Sequence, residues 1–224
     1  MRYCGGKHRI ATQLSQAILP CVGGTLWEPF CGGLSATVLL QPSIASDLSS
    51  PVIKLIEAVR EGWLPPDFVT EEMYEFAREQ NTPLAAFIGH SCSWGGKWWG
   101  GYAREGNRNF ALNGKNSLLK KVKLVPNVIF YNISYEQIKP KRGDTVYCDP
   151  PYFGTTNGYA SGDFDHIKFW HWVKYLAFDC GVQVFVSEFF GPTKFLYRTF
   201  RSKTDLRTTR RSQETTECLF RVVA

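Results

Sequence analysis

Short apolar runs rich in β-branched residues recur along the chain at 25–27, 43–45, 128–131, 144–148, 182–186 and 217–222. Most are continuously apolar, which predicts strands buried on both faces. Helical signals lie between them. Ser49 and Ser50 precede Pro51, and the pattern runs to about Glu61 before Gly62 ends it. Asp165 is placed to cap a second helix that runs through Phe178 and stops at Gly181, and 67–80 and 83–90 predict two more. The span 91–115 is rich in Gly, Asn and Trp and has no period. Strands alternating with helices predict an α/β chain with a mostly parallel sheet covered on both sides. The stretch 63–125 interrupts that rhythm and is expected to be a small inserted helix-and-loop subdomain. The main domain is then built from 1–62 and 126–224.

Composition narrows the class. The chain has 224 residues, room for one ordinary domain, with 44% hydrophobic and 21% charged residues, which excludes a disordered or collagen-like chain. No apolar run reaches the roughly 20 residues of a membrane-spanning helix. The first residues lack the apolar core of about 7–15 residues that a secretory signal carries. The seven cysteines are scattered without a CxxC pair. Neither a disulfide framework nor a metal site is expected, and a cytoplasmic location is the default.

The formal charge of +6 is unevenly spread: +2 over 1–46, −5 over 47–80, +6 over 81–127, −2 over 128–192 and +5 over 193–224. Two basic blocks separated by acidic stretches suit a polyanion held against one face. In the first block the cations alternate with Gly and aromatics, from Trp94 through Lys97, Trp98, Trp99 and Tyr102 to Arg104, followed by Arg108, Lys115, Lys120, Lys121 and Lys123. Exposed aromatics beside cations serve to stack on bases and neutralise phosphates.

The chemistry is sharpest where the 144–148 strand runs into Asp149-Pro150-Pro151-Tyr152. Loops at strand C-terminal ends bind ligands in open α/β sheets. The two prolines lack N–H donors and fix their own φ, so this turn presents a carboxylate, rigid carbonyl acceptors and an aromatic ring. That set suits an exocyclic amino group on a planar ring. An Asp before a tight proline turn is also how a core strand can simply end. Upstream, Glu28-Pro29-Phe30-Cys31-Gly32-Gly33 follows the first strand and opens a helix. Its glycines permit close backbone approach, but it is neither a dinucleotide nor a P-loop fingerprint. Asp47 stands at the end of the second strand, where an acid can accept from ribose hydroxyls. Tyr3-Cys4-Gly5-Gly6-Lys7 adds a ring, a flexible turn and a cation.

In this order, YxGGK, EPFxGG, an acid after the second strand, an insert and then DPPY, the chain resembles the Dam-type DNA adenine-N6 methyltransferases with motifs in the alpha order. The likeness spans nearly the whole chain. Residues 94–119 and the tail from 186 to 220 are most similar to the phage and prophage branch. The resemblance implies a Rossmann-like methyltransferase sheet that ends in an antiparallel hairpin. It implies S-adenosyl-L-methionine as methyl donor, with S-adenosyl-L-homocysteine as product and no metal. The acceptor would be one flipped adenine of double-stranded DNA, and the insert the target-recognition subdomain.

By position, Tyr3, Lys7, Phe30, Gly32, Asp47 and Asp149 match the family's cofactor site. Asp149, Pro150, Pro151 and Tyr152 match the catalytic tetrapeptide, and Arg2 stands where some relatives carry a base-contacting lysine. Lys97, Arg104, Arg108 and Lys115 are expected to face DNA. Cys-Gly-Gly replaces the Gly-x-Gly that many relatives show after Phe30, and the insert is short. A monomer in solution is expected, and assembly on DNA is left open. Rival readings are transfer to cytosine N4, a protein-glutamine or RNA methyltransferase with a similar PPY loop, and a non-catalytic DNA-binding protein.

Overall fold

The computed structural model describes residues 1, 3–7, 10–154, 164–206 and 211–224, and the side chains of all of these but 202–206 and 211–215. The strands are β1 (Leu26–Glu28), β2 (Ile44–Ser46), β3 (Ile129–Tyr131), β4 (Thr145–Cys148), β5 (Gln183–Glu188), β6 (Leu196–Leu206) and β7 (Arg211–Val222). They form one sheet in the order β3-β2-β1-β4-β5-β7-β6. The first five are parallel, and β7 lies antiparallel between β5 and β6. This is the Rossmann-like α/β arrangement expected, with its antiparallel end. The central strand β4 is buried at every position. Val146 and Cys148 point into one core cluster and Tyr147 into another, so both faces of the sheet are covered.

The helices follow from their own sequences. Those before the insert are α1 (Ala11–Ile18), α2 (Thr37–Leu40) and α3 (Ser50–Arg60). Within 63–125 lie α4 (Glu71–Arg78), α5 (Pro83–Ser91) and α6 (Phe110–Lys123), and α7 (His166–Lys174) follows β4. Asp165 caps α7 as expected, its carboxylate accepting from Lys168 N at 2.9 Å, and π-wound Tyr175–Asp179 extends it. Gly62 and Gly181 end their helices with φ of 96° and 69°, values that residues with a Cβ avoid.

Three elements depart from the sequence reading. Helix α1 was not expected, because its apolar positions are broken by Thr12, Gln13 and Gln16. Helix α6 begins inside the stretch without a period, capped by Asn109, whose Oδ1 accepts from Leu112 N at 2.9 Å. It buries Phe110, Ala111, Gly114, Leu118, Lys121 and Val122, a helical spacing carried partly by small residues and a lysine. Strand β6 and the first half of β7 mix polar and apolar positions too evenly for the apolar pattern to mark them, although they form the terminal antiparallel hairpin that the resemblance implies and hold the second basic block.

The helices within 63–125 share their core with α3. Val52, Leu55 and Ile56 of α3 belong to one cluster with Phe87 and Ile88 of α5 and Leu118 and Val122 of α6. Helices α5 and α6 touch at Gly114, where an added Cβ would lie 2.6 Å from the Ser91 Cβ. Gly114→Ala would gain about 1 kcal/mol of helix propensity. Overpacking of this kind costs about 1–3 kcal/mol, so a net loss is expected, read as a lower midpoint in urea unfolding. Adding Ser91→Gly, which removes the opposing Cβ, should recover most of it, and no recovery would place the strain elsewhere.

Candidate active site

The C-terminal ends of β1, β2 and β4 open on one partly solvent-open cleft. Its walls bring together six of the residues singled out from sequence: Tyr3, Lys7, Phe30, Gly32, Asp47 and Asp149. Pro151 joins them, Pro150 is buried, and Tyr152 stands outside the lining, behind Lys7. Arg2 lies outside the described residues.

The turn after β1 is held from two sides. Asp47 Oδ2 accepts from Gly32 N at 2.9 Å and Oδ1 from Ser49 N at 2.8 Å. Burial pushes the Asp47 carboxyl up to about 6, although both N–H donors pull it back. On the other side lies the Tyr3 ring. A Cβ at Gly32 would meet its Cε1 at 2.7 Å, and one at Gly33 would meet the Tyr3 Cβ at 2.5 Å. The glycines were expected to admit a ligand, and the structure shows that they first admit Tyr3. The expected helix opening after them is a single turn that starts only at Thr37.

Sequence reasoning missed Glu28. It is 1% exposed, it lines the cleft, and its Oε2 has no hydrogen-bond partner. Burial pushes its pKa well above the usual carboxylate range; Thr37 opposes that shift, while Asp149 and Asp47 add to it. An aromatic wall was missed as well: Phe30 stacks on Tyr135 at 5.5 Å and meets Phe164 edge-on at 5.9 Å. Exposed Leu48 adds an apolar lip.

Beyond Asp149 lies a buried charge cluster. Lys7 Nζ is 2.7 Å from Asp149 Oδ1 and 3.3 Å from Glu217 Oε1, with the lysine side chain 6% exposed. Glu217 comes from β7, and the sequence marks it only as the start of the 217–222 strand, within the tail. The Tyr152 hydroxyl donates to Glu217 Oε1 at 2.5 Å. Lys7 Nζ lies 4.4 Å from the Tyr152 ring centroid, and Phe189 meets that ring edge-on at 4.7 Å. Burial pushes Asp149 up to about 6; Lys7 lowers it and Glu217 raises it. Burial also works against the Lys7 ammonium, but the two carboxylates outweigh it and the net shift is upward. Glu188, at the end of β5, accepts from Phe153 N at 3.1 Å and Phe189 N at 2.7 Å, tying the proline turn to the neighbouring strand. Burial raises Glu188 to about 7.

The insert's candidate cations are placed differently from one another. Lys97 is exposed. Arg104 pairs with Glu71, Arg108 with Glu105 at 3.0 Å, and Lys115 with Asp67 at 2.8 Å. Trp94 is 57% exposed. Trp98 and Trp99 are half-buried and pack over Gly89, where an added Cβ would meet each at 2.8 Å. Lys121, counted in the basic block, is buried and donates to the Gly33 carbonyl at 2.5 Å.

No family model and no curated protein matches the chain. Solved structures do. The rRNA methyltransferase AviRa from Streptomyces viridochromogenes aligns over 95% of this chain and 84% of its own, at 13% identity and a TM-score of 0.45. Magnesium protoporphyrin IX methyltransferase from Synechocystis PCC 6803, solved with bound SAM, aligns over 98% of this chain and 80% of its own, at 12% identity and a TM-score of 0.43.

Proposed function

We propose that the protein transfers a methyl group from S-adenosyl-L-methionine to the exocyclic amino group of adenine in DNA. The observation that carries this reading is the place of Asp149: it leads the Asp-Pro-Pro-Tyr turn at the end of the central strand and opens on the same cleft as Asp47 and Glu28.

The cleft residues fit the cofactor. An ionised carboxylate offers about four lone-pair sites. Two of Asp47's are taken by Gly32 and Ser49, which leaves two for a pair of ribose hydroxyls. The unpartnered Glu28 Oε2 suits the ammonium of an amino acid. Phe30, Tyr135 and Phe164 offer an apolar wall to a planar base. When bound, S-adenosyl-L-methionine supplies a methyl group activated by its sulfonium.

The chain's own part is to make a poor nucleophile attack. The lone pair of an adenine amino nitrogen is delocalised into the ring. Asp149, accepting an N–H, favours a pyramidal nitrogen and stabilises the positive charge that develops there. The rigid turn holds the nitrogen in line. Exposed ion pairs such as Arg104–Glu71 and Arg108–Glu105 are worth about 0–1 kcal/mol. A phosphate can therefore take either arginine over, which keeps the insert as the proposed DNA-facing surface together with Lys97 and Lys115.

Methyl transfer from labelled cofactor to duplex DNA, with nucleoside analysis of the product, tests the reading. N6-methyladenine is expected, and label only in N4-methylcytosine, in RNA or in protein would replace it. Asp149→Asn should lower the single-turnover rate by orders of magnitude while DNA affinity changes far less. Since Asp149 stabilises the charge developing on nitrogen only when ionised, and its pKa is pushed up to about 6, the wild-type rate should fall about tenfold per pH unit below that value.

The orphaned Glu28 gives a separate test without turnover. A carboxyl whose pKa is raised by folding contributes stability that is fully present below its unfolded pKa and lost as pH rises towards its folded value. Glu28→Gln should therefore leave the melting temperature of the free protein unchanged near pH 4. Its advantage over wild type should grow with pH, by about 1.4 kcal/mol per unit until the raised pKa is passed. A kcal/mol moves the midpoint by about 2–4 °C in a domain of this size. The same variant should bind the cofactor about ten- to a hundredfold more weakly. A melting difference that does not vary with pH would mean that Glu28 is not carrying an uncompensated charge.

A further inference from the structure

Asp149 has a competitor for its proposed work. In the free protein its Oδ1 is engaged by Lys7 Nζ at 2.7 Å. A carboxylate oxygen held by an ammonium is a weaker acceptor for an incoming amino group. Lys7 cannot simply withdraw, because a buried ammonium without a partner is strongly disfavoured. Glu217 offers the second place, since its Oε1 is already 3.3 Å from Lys7 Nζ.

We propose that Glu217 is a positioning residue that takes Lys7 over from Asp149 when the target base enters, leaving Asp149 free to accept the amino N–H. The inference rests on the reading of Asp149 given above. No covalent bond changes, and Lys7 keeps its proton and a carboxylate partner throughout.

Three features of the fold support it. Glu217 is fixed by its strand: β7 pairs Cys218 with Glu188 of β5 on one side and Glu217 with Phe200 of β6 on the other. The Tyr152 hydroxyl ties the same Glu217 oxygen to the catalytic turn. Lys7 follows exposed Gly5 and Gly6, and Gly5 sits at a φ of 76°, so the segment before the ammonium carries little side-chain packing to resist a small shift. The move required is short, since both carboxylates are within 4 Å of Nζ.

The charged and titratable groups around Asp149 are Lys7 from the N-terminal segment, Glu28 from β1, Tyr147 and Cys148 from β4, Tyr152 on the turn, Glu188 from β5 and Glu217 from β7. Of these, Lys7 and a hydrogen bond from Tyr152 lower the Asp149 pKa and Glu217 raises it. Glu217→Gln keeps an amide oxygen for the Tyr152 hydroxyl but gives Lys7 no second charge, so Lys7 is left on Asp149. In the free protein, carboxyl NMR should show the Asp149 midpoint falling below about 6 in this variant and rising above it in Lys7→Met.

In single turnover, Glu217→Gln should lose at least tenfold in rate with little change in DNA affinity, and the acid limb of its pH–rate profile should move down. Glu217→Asp, with the charge on a shorter arm, should fall between it and wild type. In a Lys7→Met background the Glu217→Gln step should cost little, because nothing remains to be handed over. A structure with S-adenosyl-L-homocysteine and a target duplex should place Lys7 Nζ on Glu217. Lys7 still on Asp149 in that complex, independent losses in the double variant, or a silent Glu217→Gln would each overturn the handover while the methyltransferase reading stands. A wild-type protein that methylates no adenine would remove that reading and the handover with it.

Discussion

One buried ammonium ties three distant parts of the chain together. Lys7 comes from the N-terminal segment, Asp149 from the end of the central strand and Glu217 from the last strand, and Lys7 reaches both acids from a position with almost no solvent access. Two carboxylates this close would repel strongly without the cation, and the cation would not remain charged there without them. The cluster fixes where the Asp-Pro-Pro-Tyr turn sits relative to the cleft. Hydrogen bonds to the turn then come from β7 through Tyr152 and Glu217, and from β5 through Glu188 and Phe153.

The sheet makes that convergence possible. Parallel β1, β2 and β4 deliver Glu28, Asp47 and Asp149 to the same edge, because parallel strands end on one side. Asp144 pins the opposite edge: its carboxylate accepts from Thr25 N at 2.9 Å, Trp27 Nε1 at 3.1 Å and Lys141 N at 2.9 Å, locking the start of β4 to β1. Reversing β7 alone brings Glu217 back to the cleft edge, which a parallel strand in its place would have met with its other end.

Much of this was legible in the sequence, for physical reasons. Strands β1 to β5 are short and apolar, and each lies within about two residues of its expected position. The residues at their ends stood out because Asp149 and Asp47 directly follow apolar runs, where a charge is conspicuous. What stayed hidden depends on long-range packing. Glu217 sits in a strand whose polar and apolar positions say nothing about the side chain it meets across the sheet. Glu28 reads as part of a turn, and its lack of a partner is a property of the folded cleft. Trp98 and Trp99 read as exposed ligand-binding aromatics, whereas the gap above Gly89 draws them inward. Helix α6 escaped because Ala111, Gly114 and Lys121 fill places on its buried face where apolar counting expects larger hydrophobics.

Lys121 also shows how the insert and the cleft are joined. Its ammonium crosses from α6 to the Gly33 carbonyl and Ser35 Oγ, and burial lowers its pKa to about 8. The Cys4 amide donates to the Gly96 carbonyl at 3.1 Å, so the N-terminal segment that carries Tyr3 and Lys7 is bound to the insert too. His90 of α5 packs against the Tyr3 ring at 4.9 Å, and that ring rests on the Gly32-Gly33 turn. Residues 63–125 thus touch the cleft through the Gly33 carbonyl, the Cys4 amide and the Tyr3 ring, all three from residues that line it. With α3 and the inserted helices sharing one core, displacement of 63–125 as a rigid unit would have to break all three contacts and expose that core. A surface built on those helices is therefore held in register with the cleft by the same packing that keeps the chain folded.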